Sequence, residues 1–228
     1  MVNIASEEKI AVSNRIRDEI QQMIIDDMKP GDKLPPEAEL TKKFGASRTS
    51  VRAALSMLEV SGILDKRNGS NYVATEVGEF LVHPLLFMIR LKIAKLEDLI
   101  ELRRMFEVEA AGLAAKNADE KQITELADIV WLMQKPQLTA EEYIKLDIEY
   151  HLLVAKASGN SLLEHFIKDI TNVLSELYPR RCTLETAVGE AIPHLQKCTY
   201  AIKERNVKKT RECMAEHLNE AICLVEQD

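Results

Sequence analysis

The sequence predicts a mainly α-helical protein in two parts. A small N-terminal head of three helices closes with a two-stranded ribbon, and a larger C-terminal all-α bundle holds about seven helices. Three observations predict this. Between residues 34 and 73 helical periodicity is broken by a glycine turn and then gives way to a short hairpin pattern. Beyond residue 80 every periodic segment is helical and bounded by capping signals, with no strand signal of any strength. The composition, 46% hydrophobic and 29% charged with 5% aromatics and 8 glycines, is that of a globular, mostly helical chain. At 228 residues the chain has ample material for a buried core, and we divide it into residues 1–74, a polar bridge at 75–79, and residues 80–228.

Residues 1–8 read as a loose tail. Ile10 to Met28 follows as an amphipathic helix with Ile16, Ile20, Met23, Ile24 and Met28 on one stripe, stopped by Lys29-Pro30-Gly31. In the run LPPEAELTKKFGASRTSVRAALSMLEVSGILDKRNGSNYV (Leu34 to Val73), Leu40 and Phe44 give the next helix its apolar edge, and Gly45 stops it. Ser47 caps a third helix whose apolar positions Val51, Ala54, Leu55 and Leu58 fall at i, i+3, i+4 and i+7. Gly62 ends that helix, Ile63-Leu64 opens a strand, Asn68-Gly69 turns it, and Tyr72-Val73 returns. This is the element order of a winged helix-turn-helix, which reads DNA by placing its second helix in the major groove.

The charges agree with that order. Thr41 to Met57 carries Lys42, Lys43, Arg48 and Arg52 and no acid, inside a chain of formal net charge -7. Phosphate attraction needs only a local basic patch. Ser47, Arg48 and Thr49 open the recognition helix, where backbone N–H groups and the positive end of the dipole favour a phosphate. Arg48 or Arg52 can offer its fork to guanine in the major groove. The plainer reading of these arginines, a solvated helix face, does not account for the whole order of elements.

The helices expected after the bridge are Phe80–Lys92, Leu96–Lys116, Glu120–Lys135, Ala140–Ala157, Ser161–Tyr178, Glu185–Arg205 and Val207–Glu226. Thr139 with Glu142 and Ser161 with Glu164 fit capping boxes. The longest apolar stretch, Phe80 to Ile89, is too short for a bilayer and is interrupted by His83-Pro84. No basic-then-apolar leader opens the chain, so a cytoplasmic protein is expected. The four cysteines (Cys182, Cys198, Cys213, Cys223) form no C-x-x-C pair and are expected as reduced thiols.

Of five histidines, three stand in suggestive positions. Asp147 and His151, four apart, point from one face of a helix. His194 and His217 are equally far from a turn at Arg205-Asn206, so an antiparallel hairpin would set them at the same height. Three imidazoles and a carboxylate converging in a bundle suit Zn²⁺, Ni²⁺ or Mn²⁺. Each histidine is also compatible with a satisfied core position. Cys198 and Cys213 share the symmetry one turn nearer the loop, as ligands, a redox pair or, more ordinarily, small apolar packing residues. His83 and His165 read as surface residues.

Two family resemblances follow from these runs. Leu34 to Leu64 resembles the N-terminal domain of GntR-type bacterial transcription regulators, with a pattern LPSE-x-x-LA, VSR-x-x-VR-x-AL, L-x-x-x-G-L and a glycine wing. The resemblance implies DNA contacts at Ser47, Arg48, Arg52 and Gly69. It departs from the family at Ala38, where some relatives carry a DNA-contacting arginine. The wing departs too: a usual G-x-G is Gly69-Ser70-Asn71, with Asn71 expected to tolerate positive φ in place of glycine.

Residues 80–228 resemble the FCD-type effector domain of the FadR subfamily, through ELRRMFEVEAAGLAA (Glu101 to Ala115), LDIEYHLLVAKASGN (Leu146 to Asn160) and HLQKCTYAIKERNVKKTRECMAEHL (His194 to Leu218). The resemblance implies a divalent metal, zinc foremost, held by Asp147, His151, His194 and His217. The family's usual Phe before the first ligand histidine is Tyr150 here. It further implies a small organic or sugar acid beside the metal. Arg103 is at the position that pairs with its carboxylate, unless Arg103 is bound in a salt bridge with Glu107. Arg104 would be its exposed-face neighbour, and Asn172 and Arg180 looser pocket candidates. The whole implies a homodimeric, ligand-responsive regulator on double-stranded operator DNA, with repression relieved by ligand the commoner outcome. The alternatives are a regulator that senses the metal itself, or a metal-dependent enzyme in which the cluster activates water.

Overall fold

The structure, a computed structural model, describes residues 4–75, 81–177 and 191–223. Phe80, Tyr178, Arg180, Cys182 and the expected helix start at 185–190 lie outside the described residues. Mainly helical architecture with a small sheet is what it shows, and the chain divides into two compact units, Met1–Phe80 and Leu81–Asp228.

In the first unit, α1 spans Ile4–Asp27, α2 Glu37–Phe44 and α3 Arg48–Val60, followed by β1 Leu64–Arg67 and β2 Ser70–Val73. The loose tail expected over residues 1–8 is helical from Ile4 on, because Ala, Glu and Lys continue the helix backwards with no breaker. The stripe on α1 packs on α3, with Ile16, Ile20, Met23 and Ile24 buried against Leu40, Val51, Ala54, Leu55 and Leu58. Gly45 takes φ 59° at the end of α2, and Ser47 Oγ accepts from Ser50 N at 3.1 Å to start α3. Gly62, at φ 69°, donates to Glu59 O while Ile63 N donates to Leu58 O, both at 3.0 Å, so the end of α3 is closed by paired backbone bonds.

Antiparallel β1 and β2 pair Leu64 with Val73 and Arg67 with Ser70. Asn68 and Gly69 both have positive φ, 49° and 75°, which is the two-residue turn that follows strand twist. The expectation of positive φ at Asn71 is not met. Asn71 lies in β2 opposite Lys66, and its carbonyl accepts from Leu34 N at 2.8 Å. The left-handed residue beside glycine is Asn68, and the ribbon is widened by this seam to residues 31–34.

The second unit has seven helices among the described residues: α4 Val82–Arg90, α5 Leu96–Asn117, α6 Glu120–Met133, α7 Ala140–Ala157, α8 Ser161–Leu177, α9 Ile192–Lys203 and α10 Val207–Cys223. The Thr139–Glu142 capping box is present. The one expected at Ser161 with Glu164 is replaced by Asn160, whose side chain accepts from Leu163 N at 3.2 Å, so the cap falls one residue earlier. Between α9 and α10, Arg205 takes φ 58° and Asn206 Oδ1 caps α10 through Lys209 N, folding the two helices into a hairpin. Helix α5 lies at the centre, packed by α7, α8, α9 and α10. Its run Ala110 to Ala115 is small enough for close approach: a Cβ added at Gly112 would stand 2.6 Å from Arg211 Nε of α10. The core gathers Leu126, Met133, Tyr150, Leu195, Ile202 and Met214 around that axis.

Candidate metal centre and nucleic-acid interface

Close packing of α5, α7 and α10 brings chemistry together. Among the described residues, one group of three potential metal donors has its ligand atoms within 4.8 Å of one another: Asp147 and His151 of α7 and His217 of α10. His151 Nε2 lies 3.1 Å from His217 Nε2 and 3.5 Å from Asp147 Oδ1, and His217 Nε2 is 3.6 Å from the same oxygen. Donors bound at ~2.1 Å to one ion at octahedral or tetrahedral angles stand about 3.0–3.4 Å apart. The 3.1 Å pair falls in that range and the 3.5 and 3.6 Å pairs lie just above it, so a small closure brings all three onto a shared cation. All three are buried. The residues present therefore fit a divalent ion of the zinc kind. Asp147 and the two Nε2 atoms would hold it, and nitrogen with oxygen donors suits a borderline cation.

His194 is placed differently. It lies on α9 with Nδ1 3.3 Å from Glu216 Oε2, so the hairpin sets it level with the residue beside His217 but outside the three-donor group. The hairpin thus brings His194 to Glu216, the neighbour of His217, and the three-donor group is formed without it.

A residue not among the expected ligands completes the centre. Glu107 of α5 is 1% exposed, accepts from Arg103 Nε at 2.5 Å through Oε1, and meets His151 Nδ1 with Oε2. The i, i+4 spacing of Arg103 and Glu107 signals the first contact. The second joins residues 44 apart on different helices and has no local signal. Burial alone would push the Glu107 carboxyl up, but Arg103 and then His151 outweigh it and bring it to about 2. Burial lowers His151, yet Glu107 and Asp147 carry it above the ordinary imidazole value. Burial dominates at His217 and holds it below that value, which keeps a neutral imidazole available as a ligand.

Arg103, buried, is thus engaged with Glu107, and Asp147 also lies in its field. Arg104 is half-buried rather than exposed. Asn172 sits half-buried on α8 between Thr171 and Val173. Cys198 and Cys213 are free and buried in the hydrophobic core; burial pushes the Cys198 thiol up to about 12. These surroundings are those of small packing residues, and neither thiol is among the three grouped donors. Tyr150 is fully buried, with its hydroxyl 3.0 Å from Thr199 Oγ1 and 3.3 Å from the Leu195 carbonyl.

On the head, Ser47, Arg48, Thr49 and Arg52 are exposed along the start of α3. Ser47 Oγ also reaches Thr49 Oγ1 and Ser50 Oγ, at 2.7 and 2.9 Å, which fixes the helix start. Arg52 is held by Glu37 of α2, Nη2 to Oε2 at 3.0 Å. Gly69 is exposed at the wing tip with open space around it, so its need for glycine is conformational. Ala38 is exposed on α2. No helix among the described residues is long and apolar enough to cross a membrane.

Comparisons with known proteins agree with both units. The family model for bacterial regulatory proteins of the gntR family matches residues 12–73, and that for the FCD domain matches residues 98–220. The HTH-type transcriptional regulator LutR of Bacillus subtilis is 32% identical over 154 residues, 66% of this chain and 69% of LutR. The Glc operon transcriptional activator of Escherichia coli is 25% identical over 228 residues, covering 89% of this chain and 90% of its own. The HTH-type transcriptional repressor NanR of Salmonella newport is 26% identical over 224 residues, 91% and 83%. Among solved structures, Streptococcus agalactiae GntR shares the fold with a TM-score of 0.66 at 24% identity, over 91% of this chain and 97% of that one. These relatives are transcription regulators, which sets aside the reading of the cluster as a hydrolytic centre. The chain belongs to the GntR family of DNA-binding transcription regulators, in the group that carries an FCD domain.

Proposed function

We propose that this regulator is a homodimeric, cytoplasmic repressor whose helical unit binds a divalent metal, zinc foremost, together with a small organic or sugar acid. The observation that carries the reading is the charge of the buried cluster. Arg103 contributes one positive charge and Glu107 and Asp147 two negative ones, with the histidines neutral as ligands. A dication leaves the loaded centre with one unbalanced positive charge, which a carboxylate monoanion would neutralise where solvent cannot. When bound, the ion supplies a Lewis-acidic positive charge with coordination positions beyond its protein ligands. The protein's part is to fix donors: α7 presents Asp147 and His151 one turn apart, and α10 closes on them with His217. Arg103 is the candidate arm for the acid's carboxylate, in exchange for its bond to Glu107.

In the head, Ser47, Arg48, Thr49, Arg52 and Gly69 are the proposed DNA contacts, and two heads in a dimer would address a two-fold-related operator. An acid that binds one arrangement of the heads better than the other shifts operator affinity by that difference. The test is thermal stability against a panel of small carboxylates, with and without prior metal stripping. A melting shift from an acid only in the metal-loaded protein is expected. Shifts from metal alone with every acid silent would overturn the acid sensor and leave the ion structural or make it the signal.

A further inference from the structure

We propose that Glu107 is the positioning residue of the metal centre, fixing the His151 ring as the tautomer whose Nε2 carries the lone pair for the ion. The proposal rests on the metal-site reading above and goes beyond its ligands. Glu107 Oε2 and His151 Nδ1 lie against each other, both atoms are buried, and neither has a hydrogen-bond partner elsewhere among the described residues. Oε1 of the same carboxylate is taken by Arg103 Nε, a group that only donates. With Oε2 accepting the Nδ1 proton, the Nε2 lone pair faces Asp147 Oδ1 and His217 Nε2. His217 has no such support: its Nδ1 is buried without a hydrogen-bond partner among the described residues.

Two donors entering from opposite sides require two acceptor oxygens, and only a carboxylate offers both. In Glu107→Gln the amide oxygen serves Arg103 or His151, not both. If it stays with Arg103, its NH₂ faces Nδ1 and drives the proton to Nε2, where it blocks the ion.

The experiment has two readouts. ¹⁵N-detected imidazole spectra of the ion-free full chain, at alkaline pH where the rings are neutral, report the tautomer. Chelator competition with Zn²⁺ reports affinity. The wild type is expected to show His151 as the Nδ1–H tautomer. Glu107→Gln is expected to show the Nε2–H tautomer and to bind Zn²⁺ about 10- to 100-fold more weakly. Glu107→Asp keeps both oxygens and is expected to recover part of that loss. Wild-type His151 as Nε2–H would overturn the proposal without any variant, which covers the case in which Glu107→Gln does not fold. So would unchanged tautomer and Zn²⁺ affinity in a folded Glu107→Gln. Failure of the wild type to bind Zn²⁺ would instead overturn the metal-site reading, and the tautomer would still decide the place of Glu107.

Discussion

Glu37, in the first turn of α2, holds the guanidinium of Arg52 on α3 with both carboxylate oxygens, at 3.0 and 3.4 Å. The pair draws the Glu37 carboxyl below its ordinary value, first through the hydrogen bond from Arg52. Arg52 is largely exposed and Glu37 half-buried, so the pair is screened by solvent and adds little to stability. Its effect is on charge and aim: the arginine one turn into the recognition helix is partly neutralised and steered toward α2.

Two substitutions separate these effects. Glu37→Ala removes a negative charge from the basic face and is expected to raise non-specific DNA affinity, with a log–log salt slope steeper by roughly one. The melting temperature should hardly move. Arg48→Ala should lower specific operator affinity about tenfold or more while leaving bound metal unchanged. Titrations of both variants at several salt concentrations check this. Equal operator affinity in Arg48→Ala would remove that arginine from recognition.

The wing gives a cleaner stability prediction. Gly69 stands at φ 75° with nothing within 4 Å of an added Cβ, so Gly69→Ala meets strain and no clash. Holding an L-residue there costs roughly 1–2 kcal/mol. The head should melt several degrees lower, and Gly69→Asn should recover part of the loss, as Asn68 already accepts positive φ next door. Chemical denaturation of the three proteins measures the order.

Punctuation of this local kind was legible in the sequence. Gly45, Ser47, Gly62, Asn68-Gly69 and the Thr139–Glu142 box each act within a few residues, and backbone sterics and capping decide them wherever the chain goes. Spacing along helices also carried over, since Asp147 and His151 share a face and His217 joins them. What spacing does not encode is rotation of one helix about its axis against another. His194 lies beside Glu216, and Glu107 against His151, contacts between different helices that spacing along one helix leaves open. The boundary errors have the same character. The start of α1 lacked a breaker to mark it, and Asn160 displaced Ser161 as cap because both residue types serve there.

Tyr150, fully buried beside His151 on α7, tests how much a buried hydroxyl matters. It meets Thr199 Oγ1 and the Leu195 carbonyl, but Thr199 Oγ1 also donates to that carbonyl at 2.9 Å. Removing the hydroxyl therefore orphans neither partner. Tyr150→Phe should cost no more than about 1 kcal/mol and leave metal content unchanged. A loss of several kcal/mol in denaturant titrations would show that the hydroxyl holds α7 to α9.

Cys198 offers a readout of burial. With its thiol pushed up to about 12, its thiolate fraction at pH 8 is on the order of 10⁻⁴, and the thiolate is the reactive form. Iodoacetamide should leave Cys198 unmodified in the native protein and modify it in denaturant, as mapped by peptide mass spectrometry. Rapid native labelling would show that α9 opens from the core.

The last prediction ranks the histidines. His217 places Nε2 3.1 Å from that of His151 and 3.6 Å from Asp147, whereas His194 stands beside Glu216 and outside the three-donor group. Removing a donor from a group of three leaves two, too few to hold a zinc-type ion firmly. Removing His194 leaves the three intact. His217→Ala should thus abolish stoichiometric Zn²⁺ binding, while His194→Ala should weaken it by a smaller factor, both measured by chelator competition. Equal losses would mean that His194 turns into the group as a full ligand when the ion arrives, exchanging Glu216 for the metal. That would be a rearrangement of a side chain on α9, the helix that Tyr150 already ties to α7, and it would give the ion a direct hold on the packing of the hairpin.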